Sequence, residues 1–187
     1  MKVLAISGSL RADSLNTRLL RHASEQAPAG AEIELWDGLR LIPPYDEDDD
    51  VEPAPAAVRE LREAIAEADG LLFATPEYNG SIPGVLKNAI DWASRPRATT
   101  PLQGKPVAVV GATTGSFGAV WAQADLRKVL ATSGARVVDL ELPATLGDDS
   151  FDERGRLRDE GLSERLVEVV AALVAEIERD RALAFAA

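Results

Sequence analysis

Apolar and polar positions along the chain fall into short unbroken runs that alternate with longer periodic stretches. Val3-Leu4-Ala5-Ile6 is continuously apolar and ends at a Gly-Ser turn, which predicts a strand buried on both faces, whereas Leu15, Leu19 and Ala23 recur at helical spacing. Ile33 and Leu35 suggest a second strand. Pro43-Pro44 and the acidic stretch DEDDDVEPAP then read as a solvated loop, lacking the spaced ligands and glycine of an EF-hand, before Val58, Leu61, Ile65 and Ala68 mark a helix. Leu71-Leu72-Phe73-Ala74 predicts a third strand with TPEYNGSI as its exit loop, and Pro83 is placed to begin a helix carrying Val85, Leu86, Ala89, Ile90 and Trp92. Val107 to Val110 gives a fourth strand, followed by GATTGSFG and by a helix from about Ala119 to Ser133 that Gly134 ends. A fifth strand starts at Val137-Val138. Leu162, Leu166, Val169, Val170, Leu173, Val174 and Ile177 form the stripe of a final helix.

Strands apolar on both faces, alternating with helices, require a parallel sheet covered by helices on both sides. The expected architecture is therefore an α/β three-layer sandwich, a single domain over residues 1–187, with five strands in the doubly wound order 2-1-3-4-5. In such sheets ligands bind beyond the carboxyl ends of the strands, beside strand one. That selects three loops: SGSLRADSLN, TPEYNGSIP and GATTGSFG.

Composition narrows the chemistry those loops could hold. A net charge of −11 argues against a general nucleic-acid surface, though a locally basic loop can still bind one small anion. The chain has no cysteine, so thiol nucleophiles and disulfides are excluded and any redox function must come from a cofactor. No apolar run approaches about 18 residues, and no leader-like segment opens the chain, so the expectation is a cytoplasmic protein without a membrane partner.

In the first loop Ser7, Ser9, Ser14, Asn16 and Thr17 offer donors, Gly8 permits a tight turn, and the following helix contributes free N–H groups and its positive dipole end. Arg11 adds a planar fork suited to phosphate oxygens. Together they describe a cradle for a terminal phosphate. The usual nucleotide loops, G-x-G-x-x-G at this turn or a P-loop, are missing, and so is a G-x-S-x-G elbow. His22, the only histidine, is expected on a helix surface, away from any serine triad. In the second loop, proline and Asn-Gly fix a backbone able to read the edge of a planar heterocycle, and Tyr78 supplies an aromatic surface. The third loop's small residues allow close approach to the same ring, with Phe117 as a possible wall. No loop clusters histidine or carboxylate ligands, so no metal centre is expected.

A phosphate cradle facing a ring-binding slot describes a flavin mononucleotide site. With GSLRADSLN at 8–16 and TPEYNGSIPGVLKNAIDWASR at 75–95, supported by LIPPYDED, PLQGKPV and DLRKVL, the sequence resembles the NADPH-dependent FMN reductase family of flavodoxin-like proteins over nearly its whole length. The resemblance implies FMN as cofactor, NADPH or NADH as co-substrate, and ping-pong hydride transfer to quinone, flavin, chromate or azo and nitro acceptors. It places phosphate binding on Ser9, Arg11, Ser14, the Leu15 backbone, Asn16 and Thr17. It places ring contacts on Pro76, Glu77, Tyr78 and Asn79, with Thr113, Thr114, Gly115 and Ser116 closing the far side. No side chain is assigned as catalytic, since flavin N5 carries the hydride. The family also implies a homodimer or homotetramer. Where its quinone and chromate reductases carry an interface arginine and can carry a tyrosine, this chain has Trp121 and Ala124, with Gln123 retained. The competing class is a flavodoxin-like electron carrier without NAD(P)H turnover; Arg11 favours the enzyme. Lys87, Asp91 and Trp92 read as structural residues of a packed helix.

Overall fold

Three continuous apolar runs line up as the centre of one parallel sheet, with the alternating Ile33-Leu35 strand at its edge. In the computed structural model, which describes residues 1–186, β1 (Lys2–Ser7), β2 (Glu32–Trp36), β3 (Gly70–Thr75) and β4 (Pro106–Thr113) stand in the order β2-β1-β3-β4. The doubly wound order expected from the alternation is therefore present. In register, Ser7 pairs with Ala74 and Thr75 with Gly111, so β1, β3 and β4 deliver their exit loops to one edge.

Five helices cover the sheet: α1 (Leu15–Glu25), α2 (Ala56–Glu67), α3 (Gly84–Ala93), α4 (Val120–Thr132) and α5 (Glu160–Ala186). Alternate strand residues sort between two cores, as the two-residue repeat of a strand requires. Val3, Ala5, Leu72, Ala74, Ala108 and Val110 meet α1 and α5, whereas Leu4, Ile6, Leu71, Phe73, Val107 and Val109 meet α2, α3 and α4. Pro83 caps α3 from outside instead of occupying its first turn, because its ψ of 138° is extended.

The fifth strand position is filled in two pieces. β5 (Arg136–Val137) and β6 (Pro143–Thr145) each run parallel to β4, at its start and its end. Between them the chain leaves the ladder. Arg127 of α4 holds the detour by donating to the carbonyls of Val138 and Leu140, at 2.7 and 2.9 Å, and to Asp139 at 2.8 Å.

The motif LKNAIDW proves to be a lock between α3 and the Pro43–Tyr45 segment. Asn88 Nδ2 and Trp92 Nε1 both donate to the Pro43 carbonyl, at 2.8 and 2.9 Å, and Asn88 Oδ1 accepts from the Tyr45 N–H at 2.7 Å. Trp92 is wholly buried, with Tyr45 edge-on to its ring, and Arg95 lies over the other aromatic, Tyr45. Lys87 pairs with Asp91 one turn on. The acidic loop is mostly exposed, yet Asp50 is tied to Arg62 at 2.8 Å.

His22 corrects an expectation. It is 3% exposed, not a surface residue, because α5 packs over α1 at this point. Its Nε2 and Ser163 Oγ share a hydrogen bond of 2.8 Å, whereas buried Nδ1 has no partner. Burial lowers its pKa below the ordinary 6.5, opposed by Glu25 and Asp152 and reinforced by Arg156. A depressed histidine pKa means that the unfolded chain takes up the proton first. Stability is then highest with His22 neutral in both states and falls as the pH drops below about 6.5 toward the folded-state value. We predict that urea midpoints measured between pH 8 and pH 5 fall across this window in the wild type, and that His22→Gln removes that part of the slope. Equal slopes in the two proteins would show that His22 does not titrate on unfolding.

Candidate functional site

The loop leaving β1 turns back at Gly8, whose N–H donates to the Ala74 carbonyl at 2.8 Å, and Ser7 organises the residues beyond the turn. Ser7 Oγ accepts from the Thr17 hydroxyl at 2.9 Å and from the Ser9 N–H at 3.4 Å. Ser14, extended at φ −71° and ψ 125°, caps α1 by accepting from the Thr17 N–H at 3.2 Å. Leu15 and Asn16 occupy the first two helical positions, where backbone N–H groups have no carbonyl within the helix to bind. Arg11 is exposed and makes no ion pair among the described residues. Free amides, a helix dipole and an unpaired guanidinium thus meet at one point, a combination suited to a phosphate.

Asn16 has a different use for its side chain. Buried at 2% exposure, it donates to the Ala112 carbonyl and accepts from the Ala112 N–H, both at 2.9 Å. What it can offer an anion is its backbone amide.

The loop after β3 is a miniature hairpin. Tyr78 and Ser81 exchange backbone hydrogen bonds of 3.0 and 3.1 Å across Asn79 and Gly80, which have φ of 53° and 73°. Two consecutive positive φ values define the tight hairpin turn in which Asn-Gly is the favoured pair, so Asn79 has a backbone reason to be where it is. Ser81 Oγ anchors the turn on Asp125 of α4 at 2.7 Å.

The loop after β4 needs support to start α4. Gly118 has a φ of 60°, and a side chain there would meet the backbone of Pro143 and Ala144 at 2.7 Å. Ala119 follows with a φ of 61° and offers no side-chain cap. The cap comes from the neighbouring loop: Glu77 Oε2 accepts from the N–H groups of Trp121 and Ala122, both at 3.1 Å. A carboxylate at a helix N-terminus satisfies free donors and complements the dipole. Gln123, 1% exposed, closes the arrangement by donating to the Gly118 carbonyl at 3.1 Å and accepting from the Leu142 N–H at 3.3 Å. The exposed rings of Phe117 and Trp121 then pack on each other with centroids 4.9 Å apart.

Between the three loops lies a cleft of about 200 Å³. Of the residues expected from the sequence, Ser9, Arg11, Ser14, Leu15 and Asn16 line one end, and Pro76, Glu77, Tyr78, Thr113 and Thr114 line the other. Thr17 lies instead on an adjoining cavity that shares Ser9 and Arg11 with the cleft. Asn79, Gly115 and Ser116 stand outside the lining, although Gly115 is fixed beside it through Thr113 Oγ1 and Thr145 Oγ1. Ala112 lines the cleft and was not among the expected residues; its place at the end of β4, one residue before Thr113, was the available signal. No group of three or more potential metal ligands occurs among the described residues.

The model of the NADPH-dependent FMN reductase family matches residues 1–145. The chain belongs to this family. It is 45% identical over 182 residues to an NAD(P)H-dependent FMN reductase of Pseudomonas aeruginosa, covering 97% of each chain. It is 37% identical over 182 residues to a quinone reductase of Escherichia coli, covering 96% of each. Among solved structures, the flavoenzyme NAD(P)H:(acceptor) oxidoreductase of Paracoccus denitrificans superposes with a TM-score of 0.87 at 36% identity, over 95% of this chain and 97% of that one. As a member the protein is an oxidoreductase of the FMN- and NAD(P)H-using type. Its own residues fit that cofactor: unsatisfied amides and a free arginine at one end of the cleft, a rigid turn and small residues at the other.

Arg11 is the one cationic side chain lining the cleft, so its removal tests the phosphate end directly. We predict that Arg11→Ala weakens FMN binding by about 1.5–3 kcal/mol, the worth of a hydrogen bond to a charged group, which is roughly ten-fold or more in Kd. A fluorescence titration giving the wild-type Kd would exclude that role.

Proposed function

We propose that the protein is an FMN-dependent NAD(P)H oxidoreductase that reduces quinone-type acceptors by a ping-pong sequence. The observation that carries this reading is the pairing of free anion donors at the start of α1 with two braced loops across a single small cleft. The names of the relatives support the acceptor class: a 2-hydroxy-1,4-benzoquinone reductase of a Burkholderia species is 44% identical over 131 residues, in addition to the quinone reductase of Escherichia coli.

On this reading Ser9, Arg11 and the amides of Leu15 and Asn16 hold the FMN phosphate, while Pro76 to Asn79 and Thr113 to Ser116 present backbone and hydroxyl groups to the ring. Bound FMN supplies hydride transfer between NAD(P)H and the acceptor. The chain's work is binding, orientation and control of access. Glu77, the one carboxylate in the lining, is engaged by two helix amides, so it serves as a brace and not as an acid. The three loops converge on one cleft of about 200 Å³, and a single shared face of the cofactor there is what a ping-pong sequence needs. We expect parallel lines in double-reciprocal plots of NAD(P)H against a benzoquinone, with each substrate inhibiting competitively at high concentration. Stopped-flow mixing that shows no NADPH or NADH oxidation would instead favour a single-electron carrier.

We further propose that the active form is a homodimer or homotetramer in which a second copy covers the exposed aromatics of the loops around the cleft. Tyr78, Phe117 and Trp121 are 50%, 64% and 50% exposed, and Trp121 is tied to the Tyr78 loop through Glu77. Large apolar side chains grouped in this way are costly to leave in water. Trp121→Ala is expected to shift the protein toward monomer in sedimentation velocity and to raise KM for the quinone. Unchanged mass and unchanged KM would make Trp121 an ordinary surface residue.

A further inference from the structure

Beyond the phosphate loop, at the carboxyl end of β2, a second cavity of about 410 Å³ shares Ser9 and Arg11 with the cleft. Its wall carries three guanidinium groups, Arg11, Arg21 and Arg40, and one carboxylate, Asp37. None of the three arginines forms an ion pair among the described residues. Arg40 is steadied by one hydrogen bond, Nη2 to the Leu10 carbonyl at 2.7 Å, which leaves its other N–H groups available. The basic groove between α3 and α4 differs: Lys87 is paired with Asp91, and Arg95 and Arg97 donate to the carbonyls of Asp91 and Thr132.

Part of the lining is apolar. Leu39 is buried, and the Trp36 ring lies so close over Gly38 that a side chain at position 38 would collide with it. Charges of one sign beside low-dielectric walls focus their field, so an anion is held there more strongly than on an open surface. The charge balance then sets the valence of the ligand. The wall carries an excess of two positive charges, which a lone carboxylate would leave half neutralised and a dianion or polyanion matches. Guanidinium forks fit the oxygens of such a phosphate in pairs.

Arg11 connects this cavity to the cleft, because it lines both. A single guanidinium divides its hydrogen bonds when an anion stands on each side of it, and the two anions repel each other. We propose that the cavity is a binding site for a phosphate-class polyanion, and that filling it weakens the hold on FMN by drawing on Arg11. The site stands on its own residues, whereas the coupling rests on the reading of the cleft as the FMN site. Linkage requires FMN to weaken the polyanion by the same factor. Arg21, exposed on α1 and outside the cleft, is the residue to change.

The test is a calorimetric titration of the FMN-loaded protein with inorganic pyrophosphate at an ionic strength held constant with chloride. FMN fluorescence titrations of the full chain at rising pyrophosphate accompany it. One pyrophosphate is expected to bind per chain with FMN still in place, and the apparent FMN Kd should rise about five-fold or more and then level off. Arg21→Ala should weaken pyrophosphate about ten-fold and leave the FMN Kd measured without pyrophosphate unchanged. Loaded protein that takes up no pyrophosphate overturns the site. So does an FMN Kd that climbs without limit and equally in Arg21→Ala, since that is plain competition for the phosphate cradle. Pyrophosphate bound with no change in the FMN Kd supports the site and overturns the coupling. A chain that binds pyrophosphate through Arg21 but takes up no FMN supports the site and overturns instead the FMN reading of the cleft.

Discussion

One buried carboxamide joins the two halves of the site. Asn16 binds both the N–H and the carbonyl of Ala112, so the first turn of α1 and the end of β4 are held at a fixed distance across the sheet. Asn16 and Ala112 are 96 residues apart in sequence, and among the described residues no other side chain ties the α1 N-terminus to β4 in this way. Were the carboxamide missing, two buried backbone groups of Ala112 would lose their partners, each a loss of about 1–3 kcal/mol in a folded chain. The amides that receive an anion belong to the same turn. The phosphate end of the cleft is consequently as rigid as the sheet it is fastened to.

The ring end is braced by charge. Two successive residues with positive φ, Gly118 and Ala119, bring α4 into position without a cap, and Glu77 reaches across from the other loop to supply one. That contact has two effects. It satisfies two donors at the start of α4, and it ties the loop that carries Tyr78 to the helix turn where Trp121 packs on Phe117. Binding surface and helix cap are therefore a single structure, and a loss of the carboxylate would be felt at both loops.

Much of this was legible in the sequence. Continuous apolar runs identify β1, β3 and β4 because burial on both faces leaves no room for polar residues, and their alternation with helices leads to the observed strand order. Donor-rich loops at the exits of β1, β3 and β4 identify most of the cleft lining. What escaped depends on contacts distant in sequence. Residue type suggests the surface for His22, yet it stands three residues after Leu19 on the buried stripe and α5 covers it. The fifth strand divides because Arg127 binds carbonyls 11 and 13 residues away, which no local pattern announces. Glu77 reads as a ring contact because its partners lie 44 and 45 residues further on.

The conspicuous residues and the chemically available ones are largely different sets. Asn88, Trp92 and Asp91 stand out in the sequence, and each has its polar atoms engaged by neighbours within the chain. Arg11 stands out beside them, and Arg21 and Arg40 do not, yet all three line two adjoining cavities and form no ion pair among the described residues. In an acidic protein, leaving arginines unpaired costs attraction that nearby aspartates and glutamates could supply. Fold stability alone gives no reason to gather three of them at one sheet edge. An anion bound beside Arg11 would supply the counter-charge that the chain does not.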